Sequence, residues 1–223
     1  MLPQIRWQGE NIAAITFRSR NLDNYDSSHL NIAAEIANQV AGAIANQIAL
    51  QKSLSVAKER ELLARISSIA TGSNDLHDAF EQITAAIKEF VPWDRIAVTA
   101  LPSNDSAQYL FQSGVQFDKY SAGGWKNYAA EMIDLFSDDP TPMIIYQHSM
   151  SGSHEILRDQ VLAEESGLKS WLLVPLIWRN NHIGHLHFRS LEPDAYNDYH
   201  IEISAQISTQ IGGAIAAVSQ TII

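Results

Sequence analysis

The chain opens on an apolar run, Ile12–Phe17, that follows the polar turn Gln8-Gly9-Glu10-Asn11 and predicts a short strand. Leu2–Trp7 is placed to be its hairpin partner. The pattern then changes period. Leu22-Asp23-Asn24-Tyr25-Asp26 begins a helix, with Asp26 or a neighbouring serine to accept its first amides. Beyond it, apolar residues recur at Ile32, Ile36, Val40, Ala43-Ile44, Ile48, Leu50 and Leu54, spaced for one helix face. No proline or glycine follows Gly42 until Gly72, so about Ser28 to Ala70 reads as one very long helix or two abutting ones. Its middle, Gln47–Glu61, is polar on most faces, with a thin seam at Leu50, Leu54 and Ala57. A surface helix of that length cannot bury itself. A second copy of the chain is the expected cover, along Ile36, Val40, Ile44, Leu50, Leu54 and Ala57; the alternative is a connector lying against the next domain.

A second set of elements follows. Leu62, Leu63, Ile66 and Ile69 form an amphipathic face that Thr71-Gly72-Ser73 ends, and Leu76–Phe90 carries Phe80, Ile83 and Ile87 on one side until Val91-Pro92-Trp93 breaks it. Arg95–Leu101 and Tyr109–Gln112 read as strands joined by the turn Pro102-Ser103-Asn104-Asp105-Ser106. A helix is expected over Trp125–Phe136, a short strand over Met143–Tyr146, and a helix over Ile156–Ser166 that Gly167 ends. Ser170–Leu176 and His182–Phe188 read as paired strands, and Asn197–Val218 as the closing helix. Antiparallel strands with helices between and around them give an α+β class.

The two ends of this pattern are copies. Trp7–Ala45 aligns without a gap onto Trp178–Ala216 at a constant offset of 171, and sixteen of the 39 pairs are identical. Among them are Trp7/Trp178, Phe17-Arg18-Ser19/Phe188-Arg189-Ser190, Asp23/Asp194, Tyr25/Tyr196 and Gly42-Ala43-Ile44-Ala45/Gly213-Ala214-Ile215-Ala216. One extra residue is expected between Pro3 and Trp7 relative to Pro175 and Trp178. A repeat at this offset has the period of a whole domain. The chain reads as residues 1–46, the tail of one domain; 47–61, a linking helix; and 62–223, a complete second copy.

Composition narrows the class. Hydrophobic residues at 46 % fit a globular protein with a core. The net charge of −10, with no Lys/Arg run, opposes nucleic acid and anionic membrane surfaces as partners. There is no cysteine, which removes disulfides, thiolate metal sites and thioether-linked cofactors. No apolar run approaches the roughly 18 residues of a membrane span, and Met1-Leu2-Pro3 does not begin a signal peptide. A soluble cytoplasmic protein is expected. Catalytic signatures are missing as well. There is no Gly-x-Ser-x-Gly turn, no phosphate loop ending in Lys and no His-Glu-x-x-His, so the chain is not expected to be an enzyme.

Val174-Pro175-Leu176, a polar turn, and Ile183-Gly184-His185-Leu186-His187-Phe188-Arg189-Ser190 resemble the last two strands of a GAF domain. Tyr196 and Ile207–Ala216 resemble the family's final helix, and Trp93-Asp94-Arg95 its turn into the first strand. The resemblance implies a six-stranded antiparallel sheet with the terminal helices on one face and a small-molecule site under short helices on the other. It further implies a sensory or dimerisation module of the kind attached to histidine kinases, with an output domain elsewhere. The signal would pass through terminal helices, of which Ile44–Glu61 resembles a connecting one. Without cysteine a covalent bilin is excluded, and the asparagine-lysine signature of cyclic-nucleotide-binding members is not found. Free methionine sulfoxide reductases of this fold rely on cysteines, which argues against that activity.

Residues of the expected pocket are Phe111, Ser113, Trp125, Tyr128, Met132, Tyr146, His148, Trp171, Leu173, His185 and His187. Aromatic side chains suit a planar ligand and suit a ligandless core equally well. Strand alternation puts His185 and His187 on one face, as a His-x-His metal pair requires, with His148 or His154 in reach as a third ligand. The matching residues of the first copy are Ala14 and Thr16, and a structural or ligand-contacting histidine is expected rather than a metal. The cofactor, if any, stays open. Two functions follow: a ligand-binding sensory module in a homodimer, or a ligand-independent dimerisation scaffold of the same fold.

Overall fold

The computed structural model describes residues 4–72, 75–103, 106–116, 128–145 and 165–219. The chain divides into two compact units, Met1–Arg60 and Glu61–Ile223.

In the first unit β1 (Gln4–Trp7) and β2 (Glu10–Ala14) form an antiparallel hairpin, and α1 begins at Ser27. Gln8 and Gly9 both take positive φ, 50° and 91°, which is what a two-residue turn matching the strand twist requires. Asp26 caps α1, its Oδ1 accepting from the Ser28 and His29 amides at 3.0 and 3.1 Å. Ile5 is buried against Ala37 and Ala41, small residues that let the hairpin lie close on the helix. Helix α1 then runs unbroken from Ser27 to Gly72, one long helix rather than two abutting ones, and its end from Glu61 on belongs to the second unit. The expected strand Ile12–Phe17 is shorter, because pairing with β1 stops at Ala14.

The second unit continues with α2 (Leu76–Ile87), β3 (Arg95–Ser103), β4 (Ser106–Gly114), α3 (Tyr128–Leu135), β5 (Met143–Ile145), β6 (Ser170–Trp178), β7 (Asn181–Ser190) and α4 (Asp198–Ser219). Asp75 caps α2 by accepting from the His77 and Asp78 amides. The helix ends at Ile87 rather than Phe90, where the Phe90 and Val91 amides turn back onto the Ile87 carbonyl ahead of Pro92. The strands pair antiparallel in the order β4-β3-β7-β6-β5. Among the described residues this sheet has five strands rather than six, and the hairpin β1–β2 is a separate sheet of its own. Most of the helix expected at Ile156–Ser166 lies outside the described residues. No described helix is long and apolar enough to cross a membrane.

One sheet face is mostly apolar. Ile96, Val98, Phe111, Leu172, Val174, Leu176, Leu186 and Phe188 pack there against Leu62 and Ile66 of α1, Phe80, Ile83 and Ile87 of α2, and Ile203, Ile207, Ile211 and Ile215 of α4. Each fully buried Leu, Ile or Phe contributes about 2 kcal/mol, so this face holds the unit together. The other face is partly covered by α3 and the turn after it, where Met132 and Phe136 pack on Ile145, Trp171 and Leu173.

The hairpins of the two copies share one geometry. Ile5 pairs with Ala13 and Arg6 with Asn11, skipping Ile12; Leu176 pairs with Gly184 and Ile177 with His182, skipping Ile183. The offset of 171 therefore extends back to Gln4/Pro175 without an insertion, which corrects the extra residue expected before Trp7. Both bulges fall at the same place in the repeat.

Candidate functional site

Alternation along β7 sends Leu186 and Phe188 to the helices and His185, His187 and Arg189 to the opposite face. Cross-strand neighbours complete that face in rows: Arg95 and Trp171 flank Arg189, Ala97 and Leu173 flank His187, and Thr99 and Pro175 flank His185. Arg95, Thr99, His185, His187 and Arg189 are all buried.

These groups hold one another. Arg95 donates to the Val115 carbonyl at 2.7 Å and to Gln112 Oε1 at 2.8 Å. Arg189 lies over the Trp171 ring at 4.0 Å, a cation–π contact in a desolvated setting. The other stacking partner of Trp171 is His187, with ring centroids 5.8 Å apart and planes 15° from parallel. Thr99 Oγ1 donates to the His185 carbonyl and sits 3.2 Å from His187 Nε2, an arrangement that suits the Nε2-protonated ring. His182 and Phe136 close around His185, at 4.5 and 5.6 Å between ring centroids. Burial pushes the His185 imidazole well below the ordinary histidine value, and His182 and His187 push it further. Burial does the same to His187, helped by Arg189 and Arg95. His182 is lowered by burial, partly offset by the Gly184 backbone. The three rings are therefore neutral at pH 7 and the positive charge of the face comes from its two arginines.

Arg95, Ala97, Tyr109, His187 and Arg189 line a crevice too tight to admit a water molecule. The Trp171 indole N–H, buried on this face, has no acceptor among the described residues. Among the described residues no three His, Asp or Glu side chains are arranged to share a metal ion.

Of the sequence-predicted pocket residues, Met132, Trp171, Leu173, His185 and His187 come together on this face. Phe111 does not. It points to the helices and stacks on Phe80 at 5.6 Å, and Ser113, paired with the helix-facing Ile96, shares its side of the sheet. A one-residue step along a strand reverses the face, so it is Gln112 between them that reaches Arg95. Trp125, Tyr146 and His148 lie outside the described residues; Tyr128 starts α3. The sequence pattern does not mark Arg95, Thr99 and Arg189 as site residues, although Arg189 stands two residues beyond His187 and alternation alone puts it on that face. His182 joins them because the bulge at Ile183 turns it to the side of His185.

Along α1 the expected seam is exposed at Ile36, Leu50, Leu54 and Ala57 and half-buried at Val40 and Ile44.

The fold has known counterparts. A phycoerythrobilin-bound GAF domain from a cyanobacterial phytochrome superposes with a TM-score of 0.57 at 15 % identity, covering 75 % of this chain and 100 % of that one. A GAF domain from a phosphoenolpyruvate-protein phosphotransferase of Coxiella burnetii gives 0.53 at 15 % identity, over 74 % and 98 %. Free methionine-R-sulfoxide reductase from Neisseria meningitidis, in complex with its substrate, gives 0.51 at 15 % identity, over 74 % and 92 %. At these identities the likeness is one of fold. A comparison with curated protein sequences gives no match. The family model described as GAF domain matches residues 73–216, nearly the whole second unit. The chain belongs to the GAF domain family, whose members are sensory and regulatory modules.

Proposed function

We propose that this chain is a noncatalytic sensory module of a cytoplasmic signalling protein. It binds a small molecule on the polar sheet face and relays its state through α1 and α4 in a homodimer to an output domain outside this chain. The observation that carries the reading is the contrast between the two sides of one sheet. The helix side is mostly apolar, its polar side chains being serines, whereas the other side buries Arg95, Arg189, Thr99, His185 and His187 around Trp171. Burying polar groups costs stability that an apolar face of the same shape would not lose, so their presence favours a ligand-facing role. Two guanidinium groups beside an indole suit a planar, anionic molecule. The Trp171 N–H adds a donor for it. In the relay, bound and unbound states differ only if the ligand favours one packing of the terminal helices.

The crevice size favours a second reading, a ligand-independent dimerisation scaffold. The crevice does not admit even a water molecule, whereas small-molecule pockets begin at roughly 300 Å³.

Native mass spectrometry of the purified chain, then of the denatured chain, separates the two. A dimer with a stoichiometric small mass that Arg189→Leu loses supports the sensor. A dimer bare from every expression host, with the same melting temperature across a panel of organic anions, leaves the scaffold.

A further inference from the structure

The two copies share more than sequence. Positive φ recurs at equivalent residues, Gln8/Arg179, Gly9/Asn180 and Asp23/Asp194. Each tryptophan of the repeat lies on a helix glycine, where an added Cβ would meet the ring at 3.3 Å for Gly42 and 3.0 Å for Gly213. The caps correspond too. The Asp26 and Asn197 amides each donate to the histidine three residues on, while their side chains accept that histidine's amide. Burial differs. Phe188, Ile203 and Ile207 are 0, 1 and 0 % exposed, whereas Phe17, Ile32 and Ile36 are 46, 55 and 41 % exposed.

We infer that the exposed face of the first unit, Phe17, Tyr25, Ile32 and Ile36 with Val40 and Ile44, is the core face of a second GAF-type domain. Its occupant is a polypeptide equivalent to residues 62–171, whose helices and apolar strand faces cover the same positions in the complete unit. A lone exposed apolar residue is ordinary, but this set coincides one for one with buried core positions on an equivalent hairpin and helix. The apolar seam of α1 thereby divides. Ile36, Val40 and Ile44 belong to domain completion, and Leu50, Leu54 and Ala57, beyond the repeated segment, to association between copies. One position constrains the fit. Ala13 stands where the complete unit has Gly184, whose Cβ would sit 2.0 Å from the Thr99 carbonyl oxygen. A strand laid beside β2 must therefore shift or bulge opposite Ala13.

Because the chain has no cysteine, Ile36→Cys, Ile207→Cys and Leu22→Cys each carry a single thiol. In the native chain the thiol at position 36 is expected to react with a maleimide as fast as the one at 22, at every chain concentration, and the one at 207 to be protected. Fusing residues 61–171 directly ahead of Met1 is expected to slow the reaction at 36 about a hundredfold and leave 22 unchanged. Reaction at 36 that slows as the native chain is concentrated would make a second copy the occupant and overturn the inference. So would unchanged reaction at 36 in a fusion that melts cooperatively. If the fusion does not fold, native mass spectrometry of the chain itself decides. Ile36→Asp is expected to leave association as it is while Leu54→Asp weakens it, and equal weakening by both overturns the division of the seam. A chain monomeric at all concentrations would remove the dimer relay and leave the thiol experiment standing.

Discussion

Lowering the pH from 7.5 to 5.5 is a direct probe of the buried histidines. His185 and His187 sit on β7 with His182 and Arg189 from the same strand, Arg95 from β3 and Tyr109 from β4 around them. Burial and like charge hold both rings neutral well below the ordinary histidine value of 6.5, which they regain on unfolding. As the pH falls through 6.5 the unfolded chain takes up protons that the native one refuses, so stability is complete above about pH 7 and declines toward acid. Each refused proton costs about 1.4 kcal/mol by pH 5.5 relative to 7.5, and two cost about 3 kcal/mol. Carboxylates, titrating near pH 4, add little in this window. With a urea slope of about 2 kcal/mol per molar, the midpoint of the second unit should fall by about 1.5 M. Far-ultraviolet circular dichroism is the suitable signal, since protonation beside Trp171 would alter fluorescence without unfolding. The control is His185→Leu with His187→Leu, which should reduce the pH dependence to the smaller share left by His182 and His200, whatever it does to stability at pH 7.5. A midpoint that stays level from pH 7.5 to 5.5, or a double variant with the native slope, would refute the reasoning.

Asp94 fastens the turn into β3 by accepting from Ser190 Oγ at 2.9 Å and the Leu191 amide at 2.7 Å; Asp94→Ala should cost about 2–3 kcal/mol in urea unfolding. Phe188→Ala, in the core of the complete unit, should cost about 3–5 kcal/mol, whereas Phe17→Ala at the equivalent exposed position should change stability by under about 1 kcal/mol in the same assay. Leu54→Asp places a charge in the proposed seam and should raise the dimer dissociation constant at least about tenfold on light scattering; an unchanged mass would count against that seam.

What was legible in the sequence follows from how local each determinant is. Helix α1 needed only spacing and the lack of a breaker between Gly42 and Gly72, and its length came out within two residues at each end. The strands β6 and β7 were marked by the Val-Pro-Leu run and its polar turn, because a two-residue turn fixes the register of both. Faces were harder. Phe111 and Ser113 were assigned to the pocket as aromatic and polar residues of β4, but the bulge opposite Val98/Thr99 sets the parity of that strand, and no local signal announces it. The same holds for His182, three residues from His185 and on the opposite face by simple alternation, until the bulge at Ile183 turns it inward. Arg95 was legible only as part of a turn motif. Its meeting with Arg189 is a product of the β3–β7 pairing across 94 residues of sequence.

The repeat itself separates scaffold from site. At the offset of 171 the residues that shape the fold are retained: Trp7/Trp178 on its glycine, Phe17/Phe188, Asp23/Asp194 at a positive φ, and Tyr25/Tyr196. The positions that face the opposite side of β7 are treated differently. Arg18/Arg189 is kept, whereas His185 and His187 replace Ala14 and Thr16. A buried histidine costs desolvation and lowers stability in acid, so packing alone gives no reason for placing two where alanine and threonine also serve the strand. A face that changes while its framework stays fixed is how one fold takes on different ligands. On that argument the proposed ligand-facing role of the second unit falls to His185 and His187, with Arg189 as the element common to both copies.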